Sequence, residues 1–212
     1  MTRKALTIEV VSDVVCPWCY IGKRRLEKAL ELTKGELEVT IRWLPFQLNP
    51  DMPPGGMARP DYRKAKFGSI ERGRELDARV AGEGRGEGID FAFERMQRTP
   101  NTVAAHRLID LAQKQGRGGA VVDALFKAYF EDAEDIGEPA VLARIAASTG
   151  VEGWPQAADE RQVAALEASM RGLGISAVPT FIFDRKFGVS GAHPPEALAS
   201  AMREASAHAE PG

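Results

Sequence analysis

Hydrophobic and polar residues first alternate at Leu6-Thr7-Ile8-Glu9-Val10-Val11, and the β-branched content of that run predicts a strand. Ser12 and Asp13 follow as turn or cap residues. From Tyr20 to Leu32 the period lengthens, and Leu26, Ala29 and Leu30 recur at helical spacing. A second strand is predicted over Leu37 to Phe46, where Val39, Ile41 and Trp43 alternate with Thr40, Arg42 and Leu44. Asn49-Pro50, Pro53-Pro54 and Gly55-Gly56 make Asn49 to Pro60 a loop. From Asp61 the pattern is helical, and the glycines of Gly82-Glu83-Gly84-Arg85-Gly86-Glu87-Gly88 are expected to interrupt it as a polar, flexible connector. Asn101 or Thr102 caps the next helix, which Gly116 ends. Further helices are predicted at Ala120 to Glu131, Pro139 to Ser148 and Gln156 to Met170, so residues 61–170 read as helical with no convincing strand. Alternation returns at Thr180 to Phe183 and Phe187 to Ser190, around a turn at Asp184 to Lys186. A last helix over Pro195 to Ala207 places Leu198, Ala201, Met202 and Ala205 on one face. The order is strand, helix, strand, a helical block, two strands and a helix.

Composition narrows the classes. The chain has 212 residues, 44% hydrophobic and 27% charged, which suits one large domain or a compact one with an insertion and excludes disorder. A net charge of −2 removes the bulk electrostatic case for nucleic acid or an anionic membrane as the main partner. No apolar run approaches the roughly 18 residues of a membrane-spanning helix. The N-terminal residues lack the features of a signal peptide, so a cytoplasmic protein is expected.

Chemistry concentrates at the two cysteines, Cys16 and Cys19. Two cysteines exclude a disulfide scaffold, and with His106, His193 and His208 scattered no metal site is expected. A redox dithiol is the remaining reading, with two incidental core thiols as the plain alternative. The pair falls where the first strand hands over to a helix, and Pro17 suits a first helical turn. A helix N-terminus favours a thiolate, so Cys16 is expected to face solvent and act as the nucleophile. Cys19 lies seven residues before Leu26 and falls on the buried face, so it is expected to resolve the mixed disulfide. Lys23, Arg24, Arg25 and Lys28 read as a solvated helix face. The spacing of the 82–88 glycines does not fit a phosphate-binding loop.

CxxC after the first strand, with Val178-Pro179 just before the later strand pair, resembles the thioredoxin fold. The helical block resembles the DsbA-like branch. Ser12-Asp13-Val14-Val15-Cys16-Pro17-Trp18-Cys19-Tyr20-Ile21-Gly22 is similar to the FrnE-type group of that branch, which also contains 2-hydroxychromene-2-carboxylate isomerases. So are Asn101-Thr102 with Ala105-His106-Arg107, Leu125-Phe126 with Ala128-Tyr129-Phe130, and Val178-Pro179-Thr180-Phe181 with Ser190-Gly191-Ala192. The fold class implied is α/β: a thioredoxin core of residues 1–50 and 171–212, with an all-helical insertion at 61–170 between the second strand and the cis-proline strand. Sequence alone leaves Pro179 open between a cis turn and a trans start of an edge strand. The resemblance implies a cis Pro179 facing the cysteines, with the Val178 backbone offered to an extended substrate. The extra C-terminal cysteines of some relatives are absent, and Pro17-Trp18 differs from the dipeptide of the periplasmic enzymes, so strong oxidising power is not carried over.

The expected function is a thiol–disulfide oxidoreductase of reductase or isomerase type, acting on protein or small-molecule disulfides. It needs no cofactor beyond its dithiol, although glutathione is an admissible adduct. Cys16, Cys19 and Pro179 are the expected catalytic residues; Pro17, Trp18, Val178 and His106 are expected to bind substrate. His106 is read first as a packed or capping residue and only second as a groove residue, and His193 and His208 as solvated. Asp13 is a turn or cap residue with a second reading as a proton acceptor, and Trp43 and Phe181 are expected in the core. Two competing readings are a glutathione-dependent isomerase or transferase, which typically has Ser at position 16, and a redox-sensing holdase without catalysis. The oligomeric state is not legible.

Overall fold

The elements run β1 (Lys4–Ser12), α1 (Pro17–Thr33), β2 (Leu37–Pro45), β3 (Met57–Ala58), α2 (Arg59–Phe67), α3 (Ile70–Gly86), β4 (Arg98–Thr99), α4 (Val103–Lys114), α5 (Gly118–Phe130), α6 (Pro139–Ser148), α7 (Glu160–Gly172), β5 (Thr180–Phe183), β6 (Phe187–Ser190) and α8 (Pro195–Ala207). The structure is a computed structural model and describes residues 3–207, so His208 lies outside the described residues.

A four-stranded sheet runs in the order β2-β1-β5-β6. β1 pairs in parallel with β2 from Lys4 opposite Leu37 to Ser12 opposite Pro45. Parallel neighbours need a crossover, and α1 supplies it. β5 lies antiparallel to β1, with Val11 opposite Thr180. β5 and β6 form a hairpin whose central residues, Asp184 and Arg185, have φ of 46° and 57°. That left-handed pair is the centre of a β-turn within the three-residue connection, closed by the Lys186 N–H, which donates to the Phe183 carbonyl at 2.9 Å. The Asp184 carboxylate ties the turn back to β1 by accepting from the Thr7 N–H at 2.8 Å. The far rim of the sheet is closed at one point. Gln113 of α4 uses its carboxamide as a strand would, its oxygen accepting from the Trp43 N–H and its NH2 donating to the Trp43 carbonyl at 2.9 Å.

Apolar alternation along β1 builds the core. Leu6, Ile8 and Val10 join Tyr20, Leu108, Leu125, Phe126, Phe181 and Leu198 in one cluster shared by the sheet, α1, α4, α5 and α8. Val11 points to the other face, where Leu44, Phe46 and Met170 of α7 complete a smaller cluster. Tyr20, one residue after Cys19, stacks on Phe126 with ring centroids 4.9 Å apart, and Phe130, Phe91 and Phe93 extend the aromatic packing. The Tyr20 hydroxyl donates to Glu131 at the end of α5. Trp43 and Phe181 are buried, as expected.

Three expectations need correction. The 61–170 block is not wholly helical: β4 pairs with β3, Met57 opposite Thr99, and a two-residue strand carries no readable alternation. The glycines at 82, 84 and 86 do not break α3, which runs to Gly86. Gly84 is there for packing, because the Phe91 ring occupies the space a Cβ would need. Lys23 and Arg25 are not on a solvated face. Lys23 is 4% exposed and ion-paired to Glu27 and Asp123. Arg25 bonds Glu83, Glu87 and the Ala192 carbonyl, tying α1 to α3 and to the segment after β6.

Glu87 gives an acid-sensitive tie. Burial pushes its carboxyl up, but hydrogen bonds from Lys28 and Arg25, both at 2.6 Å, outweigh that and hold it below the usual carboxylate range. A carboxylate with a depressed folded pKa contributes stability above its unfolded pKa of about 4.3, and the contribution disappears as pH falls through the lower folded value. Glu87→Gln should therefore narrow the stability gap to wild type below about pH 4, measured by denaturant titration across pH 3 to 7.

Candidate active site

The cysteines open α1. Cys16 is the N-cap residue, in extended conformation, and Pro17 starts the helix, where its missing N–H is no loss. The Cys16 N–H donates to the Asp13 carbonyl at 3.0 Å, and the Cys19 and Tyr20 N–H groups return to the Cys16 carbonyl. Both cysteines are free thiols. No acidic side chain stands in the first turn of α1, so nothing there repels an anion at the helix N-terminus.

The second wall comes from the far end of the chain. The Val178–Pro179 peptide is cis, and the Cys16 thiol donates to the Val178 carbonyl at 3.7 Å. That turn is held by three bonds. The Thr180 hydroxyl donates to the Ala177 carbonyl at 2.8 Å and lies 3.1 Å from the Ser190 hydroxyl, while the Gly191 N–H donates to the Pro179 carbonyl at 2.7 Å. A second cis peptide, Trp154–Pro155, lies away in the segment between α6 and α7.

Gly22 sets how closely the two walls approach. A methyl group at position 22 would sit 2.8 Å from Cγ of Pro179 and 3.3 Å from Cζ of Phe181, so the proline ring would have to move. Gly22→Ala should then cost about 1–3 kcal/mol by overpacking and slow any dithiol chemistry several-fold. Denaturant unfolding and a disulfide-exchange rate measured side by side check it, and unchanged values in both would show that the contact yields freely.

The two sulfurs have different surroundings. Burial raises the Cys19 thiol well above its ordinary value, and the neighbouring Cys16 adds to this, while Ser12 and the Asp13 backbone act in the opposite sense. Cys16 is also buried, at 4% exposure against 1% for Cys19, so the expected solvent-facing sulfur is corrected. The Val178–Pro179 turn, arriving from about 160 residues later in the chain, sits over it. Trp18 carries the exposure instead, at 38%, beside half-buried Pro17 and Val178, and these three form the rim.

The remaining candidates lie off the rim. His193 is exposed, with its Nε2 2.9 Å from the Ser190 carbonyl. His106 is buried on α4, its Nε2 3.3 Å from Oδ1 of Asp13, which is itself fully buried. The other Asp13 oxygen accepts from the Leu48 N–H at 2.8 Å. Asp13 thus braces the loop after β2 as well as the turn that leads into Cys16. No spacing in the sequence signals that Asp13 and His106 meet, since they come from separate elements 93 residues apart. Among the described residues, no group of three or more His, Cys, Asp or Glu could hold a metal ion.

The sequence profile of the DSBA-like thioredoxin domain matches residues 7–203. The chain belongs to this DSBA-like family. Its DSBA-like fold superposes on a Streptomyces coelicolor protein described as a "probable DsbA oxidoreductase", with a TM-score of 0.87 and 30% identity over 98% of this chain and 92% of that one. An uncharacterized Bacillus subtilis protein, YwbO, is 29% identical over 182 residues, 82% of this chain and 85% of that one. The cytosolic disulfide reductase DsbM of Pseudomonas aeruginosa shares the fold, with a TM-score of 0.62 and 20% identity, each chain covered to 95%. In this DSBA-like domain Cys16 caps α1 against the proline turn and Cys19 lies in the first turn of the helix. No helix among the described residues is long and apolar enough to cross a membrane.

Proposed function

We propose that the protein is a thiol–disulfide oxidoreductase of reductase or isomerase type, acting on protein or small-molecule disulfides in the cytoplasm. The observation that carries the reading is the asymmetric pair. Cys16 sits at the helix N-terminus against the Val178 carbonyl, while Cys19 lies deeper and is held as a thiol by burial. The ionised sulfur of Cys16 attacks a substrate disulfide; one S–S bond breaks, a mixed disulfide forms and the first thiolate leaves. Cys19 then attacks the Cys16 sulfur, the mixed disulfide breaks and the second thiolate leaves with its electron pair. An external thiol, glutathione among the candidates, returns the Cys16–Cys19 disulfide to the dithiol. Trp18, Pro17 and Val178 supply the contact surface for the substrate chain, with the Val178 backbone available for a short strand-like pairing.

The test is dithiothreitol-driven insulin reduction with a glutathione-conjugation assay alongside. Reduction in the first supports the reading. Turnover in the second without the first would transfer the assignment to a glutathione-dependent isomerase or transferase. Cys19→Ser should accumulate mixed disulfides with its substrates, because attack proceeds and resolution does not. Intact-protein mass spectrometry under non-reducing conditions reads this directly, and a variant that stays adduct-free in the presence of a disulfide substrate would count against Cys19 as the resolving sulfur.

A further inference from the structure

β2 is a terminal strand of its sheet, with β1 on one side and no strand on the other. The parallel ladder fixes which of its main-chain groups face outward. The Lys4 N–H donates to the Glu36 carbonyl and the Phe46 N–H to the Ser12 carbonyl, so the even-numbered residues of this stretch turn toward β1. Directions alternate along a strand, so Leu37, Val39, Ile41 and Trp43 turn their N–H and C=O groups away from β1. Gln113, which bonds both groups of Trp43, agrees with that parity. The outward groups of Leu37, Val39 and Ile41 have no hydrogen-bond partner among the described residues. Residues 37–41 hold no proline, lysine or bulge, the common protections of an open edge. Beside the strand, a cleft of about 400 Å³ separates Thr40–Trp43 from the turn at 116–119. Gly116 and Gly119 line it, and a Cβ on either would meet nothing within 4 Å.

We propose that a second copy of this chain occupies this edge, β2 against β2, antiparallel about a two-fold axis. Gln113 sets the register. Its amide fills the position opposite Trp43, so no residue of the partner can pair there. β2 begins at Leu37, and the longest register that keeps clear of both tethers places Val39 on the axis, with Leu37 opposite the partner's Ile41. In that register outward groups meet outward groups, and each of the three pairs exchanges both of its hydrogen bonds. The side chains match as well. Leu37, Val39 and Ile41 make aliphatic cross-strand pairs on one face, where Val39 and Ile41 are only half-buried in the single chain. On the other face Glu38 stands opposite the partner's Thr40 and diagonal to the partner's Arg42, within reach of a long side chain. Glu38 is exposed and pairs with no cation among the described residues. Arg42 has a guanidinium to spare, because its partner Glu9 also takes the Nε and Nη2 of Arg185 at 3.0 and 2.8 Å. Two-fold symmetry makes this carboxylate–guanidinium match twice. The paired stretch lies beside Lys4–Ile8, at the end of β1 remote from Cys16, so both dithiols stay open and the proposal does not depend on the exchange reaction. Five residues a side are few against the roughly 20–30 of a standard interface, so a dimer dissociating at about 10–100 µM is expected.

Sedimentation velocity of the reduced protein from about 1 to 500 µM is the test. The average mass should climb with concentration toward twice the 23.0 kDa of one chain. Glu38→Arg, which sets like charges across the axis, should raise the dissociation constant about tenfold. Val39→Pro, which removes an outward N–H that β1 does not use, should hold the protein monomeric throughout. Both variants should reduce insulin at the wild-type rate. In a background with Cys16 and Cys19 replaced by Ser, Val39→Cys should oxidise to a covalent dimer, because a hydrogen-bonded antiparallel pair holds its Cα atoms about 5.5 Å apart. Thr40→Cys, which faces the partner's position 38, should not. A wild-type protein that stays monomeric at 500 µM overturns the proposal, and so does a monomer whose β2 edge binds only an unrelated extended peptide. A dimer that Glu38→Arg leaves equally tight and Val39→Cys does not cross-link overturns it too, since the contact then lies elsewhere. Should Val39→Pro fail to fold, Glu38→Arg and the cross-link decide. Loss of insulin reduction in the wild type would refute the exchange reaction and leave these outcomes unchanged.

Discussion

Cys16→Ser is expected to reduce dithiothreitol-driven insulin reduction to the uncatalysed background, a loss on the order of a thousandfold or more. A serine hydroxyl in the same place is not ionised near neutral pH and forms no S–S bond, so both the nucleophile and the covalent intermediate are removed. The fold should tolerate the change. Cys16 makes one weak side-chain hydrogen bond, to the Val178 carbonyl, which a hydroxyl can also make. The discriminating measurement is the rate alongside an unchanged melting temperature. A Cys16→Ser protein that still reduces insulin at even a tenth of the wild-type rate would place the chemistry elsewhere.

The second large effect is on stability. Phe126→Ala should cost about 3–5 kcal/mol, in the range for deleting a fully buried aromatic side chain. Phe126 has no exposure, stacks on Tyr20 at 4.9 Å and lies near Phe130 at 6.2 Å. Removing it opens a void at the junction where α1, immediately after the dithiol, meets α5. For a chain of this size the loss amounts to a fall in Tm on the order of 10 °C. Differential scanning calorimetry checks the value, and a fall of only a degree or two would mean that the neighbouring rings close the gap. Phe130→Leu, which keeps most of the volume, should cost far less.

Most of the frame could be read from the chain because its signals are local. The alternation at Leu6–Val11, the helical spacing from Leu26 and the Pro-started helices at Pro139 and Pro195 each state their element within a few residues. The strand-to-helix position of Cys16 and Cys19, and the burial of Cys19, followed from the same patterns. Features made by distant partners were not legible. Cys16 looked exposed because nothing near it in sequence covers it; the cover comes with Val178 and Pro179. Lys23 and Arg25 sit in a run of charges that resembles any wetted helix face, and only Asp123, Glu83 and Glu87 turn them inward. Gly84 reads as a helix breaker until Phe91 is seen lying against it. Asp13 and His106 each had an ordinary local reading, as a turn residue and a packed histidine. Their meeting is a product of the way α4 lies against the β1–α1 turn.

The amide of Gln113 has a bearing on how these molecules behave in company. Unpaired backbone along the side of a sheet is a landing rail for a strand from another molecule, and ordered aggregates grow from such rails. At Trp43 the rail is already taken, by a side chain from the same molecule making both of the bonds an incoming strand would seek. An intruder there has to evict a tethered occupant and gains no net bonds at that residue, so the folded protein is guarded at that point against seeding its own precipitation.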